Sequence, residues 1–285
     1  MDQHVSTNFN NLTGCKMIQP LKKIPLVLLV LALCVLPAST NLFANVRETP
    51  IVKIVEEWSP SVVNISTETI VYLRNNPYWA GYGNQFDNFF QDYYRTNIGT
   101  LKQNSLGSGV VVSKDGLIVT NAHVIHMASK IFVTLKGEKT VEASVIGVDN
   151  ANDLALIKIS PSHPLKPVKF ADDIIIGETA VTIGNPLGLQ NSVSAGIISG
   201  TNRTSFLPQT SHVFTNLVQT DASINPGSSG GALLNLEGKL IGINVAVVQN
   251  AQNIGFAVPA GKVKEMLKEY DKIKDKGYFS PYPRK

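Results

Sequence analysis

Cysteine is nearly absent. The 285-residue chain has only Cys15 and Cys34, so everything beyond residue 34 must fold without disulfides. A segment of roughly 240 residues can bury enough apolar surface to do so. Charge of one sign is also lacking: 25 Lys and Arg stand against 21 Asp and Glu, a net charge of +4, and no five like charges run together. That removes the electrostatic footprint of a nucleic-acid partner. No apolar run reaches the ~20 residues that cross a bilayer comfortably; the longest, residues 24–36 (IPLVLLVLALCVL), stops at 13.

That run belongs to a targeting segment. Lys22 and Lys23 precede it and Pro37-Ala38-Ser39-Thr40 follow it, the basic flank, short apolar core and small residues of a signal peptide. Ala44 could be the last residue before cleavage, but Leu42 departs from the small-x-small rule. Residues 1–44 therefore read as a signal peptide or an N-terminal membrane anchor attached through 24–36. Cys34 follows Leu33 rather than a small residue, so no lipid attachment is expected.

The remainder is organised by short apolar runs. Residues 49–58 (TPIVKIVEEW) show helical spacing that Ser59-Pro60 ends. Residues 61–73 are rich in β-branched side chains and predict a strand. Residues 74–104 change texture, with Asn, Gly and eight aromatics, among them Tyr78, Trp79, Phe89 and Tyr94. This is an insert that could cover a site, dock on a neighbour or pack on itself. From Gly107 to Pro259 come GVVVS, LIVT, IFVTL, VEASVIGVD, DLALIKIS, TAVTIG, AGIISG, GALLN, LIGINVAVV and IGFAV, separated by Gly, Asn, Asp and Pro. Such a series without helical patterns predicts an all-β barrel or sandwich. Residues 260–274 form an amphipathic helix, with Val263, Leu267 and Tyr270 or Ile273 on one face, and residues 276–285 look like a loose tail.

Three motifs carry chemistry. In Asn225-Pro226-Gly227-Ser228-Ser229-Gly230-Gly231, a serine lies between glycines that let the backbone turn and aim N–H groups at one point. The alternatives are a flexible turn or a phosphate-cradling loop, and the second is weakened because a strand, not a helix, follows. Thr120-Asn121-Ala122-His123-Val124 ends a strand, where an imidazole can reach a cleft and act as a base. His126 raises a metal possibility, but no Cys, Asp or Glu lies near to complete a ligand set. Asp153 opens the apolar strand DLALIKIS, an odd place for a charge unless it is paired; Asp149 is its competitor. The order His123…Asp153…Ser229 matches the chymotrypsin template, in which the hole for the oxyanion uses N–H groups here belonging to Gly227 and Ser229. That chemistry needs no cofactor.

The stretches 107–125, 145–159, 176–203, 219–244 and 254–259 resemble the HtrA/Deg proteases, trypsin-like serine proteases of bacterial envelopes and organelles. The resemblance implies two six-stranded antiparallel β-barrels (chymotrypsin-like), a homotrimer, a periplasmic location and degradation of unfolded envelope polypeptides. It assigns His123 as base, Asp153 as its orienter and Ser229 as nucleophile. Ser228 stands where the family often has Asn. Ile243, Asn244, Val245 and Ala246 would edge the substrate groove, favouring a small aliphatic residue before the cleaved bond. Residues 45–275 are expected to form one trypsin-like protease domain of two barrels with the active site between them; only 26 residues follow Pro259, too few for the PDZ domain that relatives usually carry, so none is expected. A chaperone on a protease scaffold is the competing reading; degenerate relatives lose Ser or His, and this chain keeps both.

Overall fold

The computed structural model describes residues 47–71, 101–185, 192–207, 212–225, 227–247 and 253–274, with backbone alone for 69–71, 101–105, 206–207, 212 and 246–247. The targeting segment, most of the aromatic insert and the C-terminal tail lie outside these residues. Among the described residues no helix is long and apolar enough to cross a membrane.

The chain enters through α1 (Pro50–Trp58), whose N-cap Thr49 accepts the Val52 N–H on its hydroxyl at 3.3 Å. Six strands then close a barrel in the order β1-β2-β3-β6-β5-β4: β1 (Val62–Val71), β2 (Leu101–Val111), β3 (Leu117–Thr120), β4 (Lys130–Thr134), β5 (Thr140–Asp149) and β6 (Leu154–Lys158). β2 begins earlier than the GVVVS run suggests. Residues 101–104, grouped with the insert from their composition, pair with β1 in the register Leu101↔Val71 to Asn104↔Glu68.

The second barrel uses β8 (Thr179–Gly184), β9 (Ser192–Leu207), β10 (His212–Thr220), β11 (Ala232–Asn235), β12 (Lys239–Val247) and β13 (Gly255–Pro259). Its order β11-β8-β9-β10-β13-β12 is closed by pairing of β11 with β12, and the short β7 (Lys169–Phe170) adds to β12 in parallel. Both six-stranded rings implied by the resemblance are therefore present. Besides the two-residue β7, the apolar runs miss β10. Asn216 takes a positive φ of 58°, and its register with β9 shifts between Phe214 and Leu217. That break destroys the period-two alternation by which a strand is recognised.

The strands of the first barrel are apolar on both faces. Val63, Ile65, Val111, Ile118, Ala155 and Ile157 fill the barrel, while their neighbours Val62, Val110, Val119, Leu154 and Leu156 join a second cluster. That cluster is the seam between the barrels, because it also holds Val181, Ile183, Leu234, Ile243 and Val258 from the other side. Double burial explains why LIVT and LALIK are unbroken hydrophobic runs. Helix α2 (Ala260–Lys274) spans the range its periodicity predicts and presses Val263 into the seam, flanked by Leu267 and Tyr270; Ile273 stays 40% exposed.

Candidate active site

His123 sits in the 3₁₀ turn Ala122–Ile125, directly after β3. The turn is held from outside: the Asp153 carbonyl accepts the Ala122 N–H at 3.1 Å and Asn121 Nδ2 at 3.0 Å. Asp153 ends the β5–β6 turn at φ 52°, a region that Asp and Asn adopt more readily than other side-chain-bearing residues. Asp149 builds that turn, its carboxylate accepting Asn152 N–H at 3.1 Å and Asn152 Nδ2 at 2.6 Å. The competitor thus shapes the loop, and Asp153 meets the histidine.

The contact has two points. Asp153 Oδ1 accepts the His123 backbone N–H at 2.9 Å, and Oδ2 lies 2.7 Å from His123 Nδ1. Asp153 is only 6% exposed, so the carboxylate has little water to turn to and is directed at the ring. A proton on Nδ1 satisfies this contact and leaves Nε2 as the basic nitrogen. His126 is exposed at the far end of the same turn and takes no part.

Ser229 lies in the turn that leads into β11, between Gly227 (φ 86°) and Gly230 (φ 82°). A side chain at Gly230 would place its Cβ 2.1 Å from the Ser108 carbonyl oxygen, so here glycine is required by φ and by space together. The turn is fastened to β12 by Gly230 N–H to Asn244 O and Asn244 N–H to Gly231 O, both 2.9 Å. Ser228 N–H donates to Asn225 O and Gly231 N–H to Ser228 O. Among the described residues, the N–H groups of Gly227 and Ser229 have no such acceptor. Two donors separated by one residue could serve a developing oxyanion.

A short hydrogen-bonded path links the serine turn to the strand that carries the histidine turn. The Ser229 carbonyl accepts the Ser108 N–H at 2.8 Å, and the Ser108 carbonyl accepts the Thr120 hydroxyl at 2.7 Å. Thr120 lies three residues before His123. Ser229 Oγ donates to the Val245 carbonyl at 3.0 Å, so its proton is directed at β12 and must swing away before it can pass to an imidazole. Val245 is the extra residue of a β-bulge between Asn244↔Ala257 and Ala246↔Phe256, which re-aims its carbonyl at the serine. Ile243, Asn244 and Val245 are essentially buried, and for Ala246 only the backbone is described. Beyond Asn244 its β11-side edge has no strand partner among the described residues.

The sequence did not single out Asn121, Ser108 or Asn185. Each is a small polar residue buried among apolar strands, which is the one signal that could have marked them.

Two barrels, an imidazole–carboxylate pair on one and a glycine-flanked serine on the other define the chymotrypsin class of serine endopeptidases. Comparisons with known proteins narrow the class. The trypsin-like peptidase domain family matches residues 107–243. The serine protease HhoA of Synechocystis sp. is 39% identical over 72% of this chain and 52% of its own. A DegP-like periplasmic serine endoprotease of Halomonas elongata is 35% identical over 80% of this chain and 50% of its own. Among solved structures, an HtrA-type protease AlgW variant with a decapeptide aligns at a TM-score of 0.62 and 32% identity, over 80% of this chain and 68% of that one. The serine endoprotease of Yersinia pestis aligns at 0.57 and 33% identity, covering 78% and 66%. The chain belongs to the HtrA-type family of trypsin-like serine proteases. It spans about half the length of the curated relatives it matches.

Proposed function

We propose that the chain is an endopeptidase of the bacterial periplasm that cleaves unfolded envelope polypeptides through an acyl-enzyme. The observation that carries this reading is the two-point grip of Asp153 on His123, linked through Thr120 and Ser108 to the turn that carries Ser229. Ser229 Oγ attacks the substrate carbonyl while His123 Nε2 takes its proton; Asp153 keeps the ring in the right tautomer and stabilises the imidazolium. The Gly227 and Ser229 N–H groups receive the oxyanion, each donor contributing about 3 kcal/mol to the transition state. His123 then returns the proton to the leaving amine, and water releases the acyl group by the same route in reverse.

The substrate adds as a strand to the open edge of β12, main chain to main chain, which suits an unfolded polypeptide better than a folded one. No acidic side chain lies in residues 242–246 to attract a basic substrate residue, which favours a small aliphatic residue before the cleaved bond. The proposed homotrimer and the periplasmic location rest on the family and on the periplasmic relatives.

The test is labelling of the purified protein with a fluorophosphonate, beside Ser229→Ala, followed by digestion of an unfolded protein. Labelling lost in the variant, with substrate cleaved only by the wild type, is the expected result. An unlabelled, correctly folded wild type would overturn the reading and favour a chaperone on this scaffold.

A further inference from the structure

The two available N–H groups of the serine turn serve an oxyanion only while the peptide planes between Gly227 and Ser229 keep their orientation. Gly227, at φ 86° and without a side chain, resists rotation least. The group that holds it comes from the opposite barrel. Ser108, in β2 and fully buried, donates its hydroxyl to the Gly227 carbonyl at 2.6 Å. The same oxygen accepts the Asn185 N–H at 2.7 Å, and the Ser108 N–H reaches the Ser229 carbonyl at 2.8 Å.

We infer that Ser108 is a positioning residue for the oxyanion turn, an inference that rests on the proposed role of Ser229. The Gly227 carbonyl belongs to the peptide unit lying between the two donor peptides, and the Ser229 carbonyl to the unit that follows them. One residue of the first barrel therefore grips the turn on both sides of the Ser229 N–H. The hydroxyl has a single proton, which goes to Gly227. The Asn185 amide occupies the oxygen from the other side and fixes the rotor. Its own carriers are anchored as well: Asn64 Nδ2 donates to the Asn185 carbonyl at 2.9 Å, and Thr120 Oγ1 to the Ser108 carbonyl at 2.7 Å. Asn64, Ser108, Thr120 and Asn185 are all buried, so water cannot readily replace a missing hydroxyl.

Alanine at 108 leaves the Gly227 carbonyl and the Asn185 N–H without this partner and lets the 227–228 peptide turn. Ser108→Ala is expected to lower kcat on the order of 10–100-fold, less than outright loss of an oxyanion donor, with KM within about twofold. Fluorophosphonate labelling should slow by a similar factor. Thr182→Val is the control: it too removes a buried hydroxyl, one that meets Ser194 Oγ at 2.6 Å in the second barrel, and its kcat should match the wild type at a comparable loss of thermal stability. Should Ser108→Ala fail to fold, Ser108→Cys keeps the volume with a weaker donor, and its kcat should fall about 3–10-fold. The folded 108 variant reacting at the wild-type rate, or losing no more kcat than Thr182→Val, would overturn the inference while Ser229-dependent labelling of the wild type still stands. Absence of that wild-type labelling would instead overturn the catalytic reading beneath it.

Discussion

The two barrels contribute different kinds of group to the candidate site. The first supplies side chains: an imidazole and a carboxylate, delivered by two short turns and locked at 2.7 and 2.9 Å. The second supplies mostly main chain: the two N–H groups of the glycine-rich turn, the re-aimed Val245 carbonyl and the open edge of β12. Only the Ser229 hydroxyl breaks the division. A side chain can be replaced by mutation, whereas a backbone group can only be displaced. The first barrel's contribution is thus vulnerable to changes of chemistry, and the second's to changes of shape.

The sharpest way to break that contrast is Asp153→Asn. Asparagine also tolerates positive φ, so the turn should survive while the charge and the tautomer are lost. The expected result is a fall in kcat of about 10⁴-fold with a melting temperature close to wild type. Loss of fold in proportion to activity would refute the division.

On the other barrel, Gly230→Ala should act through shape. A Cβ there meets the Ser108 carbonyl oxygen at 2.1 Å and Thr120 Oγ1 at 2.3 Å, at a φ of 82°. Left-handed strain and overpacking together predict a loss of about 2–5 kcal/mol of stability, with activity lost alongside it. Denaturant unfolding checks it against Gly137→Ala, where φ is 75° and nothing lies within 4 Å. That variant should lose only about 1–2 kcal/mol and keep full activity.

The smallest effect concerns a charge outside the candidate site. Hydrogen bonds from Lys158 and then Ser113 lower the Asp115 pKa from 3.8 to about 2. A depressed carboxylate pKa adds stability above its unfolded value and loses it as pH falls through the folded one. The melting-temperature gap between wild type and Asp115→Asn should therefore be present above about pH 4 and close toward pH 2. Asp115 is well exposed, so the gap should be small at its largest.

The same division explains what could be read in advance. His123, Asp153 and Ser229 stood out because each is a reactive side chain set against apolar or glycine-rich neighbours. Most strands were legible because double burial at the seam makes them continuous apolar runs. β10 was not, since Asn216 at positive φ interrupts its alternation. The Val245 carbonyl could not be seen either, because a bulge moves an atom that every residue possesses. Ser108 and Asn121 act through backbone partners far along the chain, and no spacing rule connects position 108 to 227.

The seam has a consequence in time as well as in space. Its cluster draws on residues from Ile54 to Val263, whereas the first barrel's interior cluster is complete by Leu165. A chain made from its N-terminus can assemble the His123–Asp153 pair long before Ser229 is made. The proposed active site would then be completed only at the last joining step, when the seam draws both barrels together.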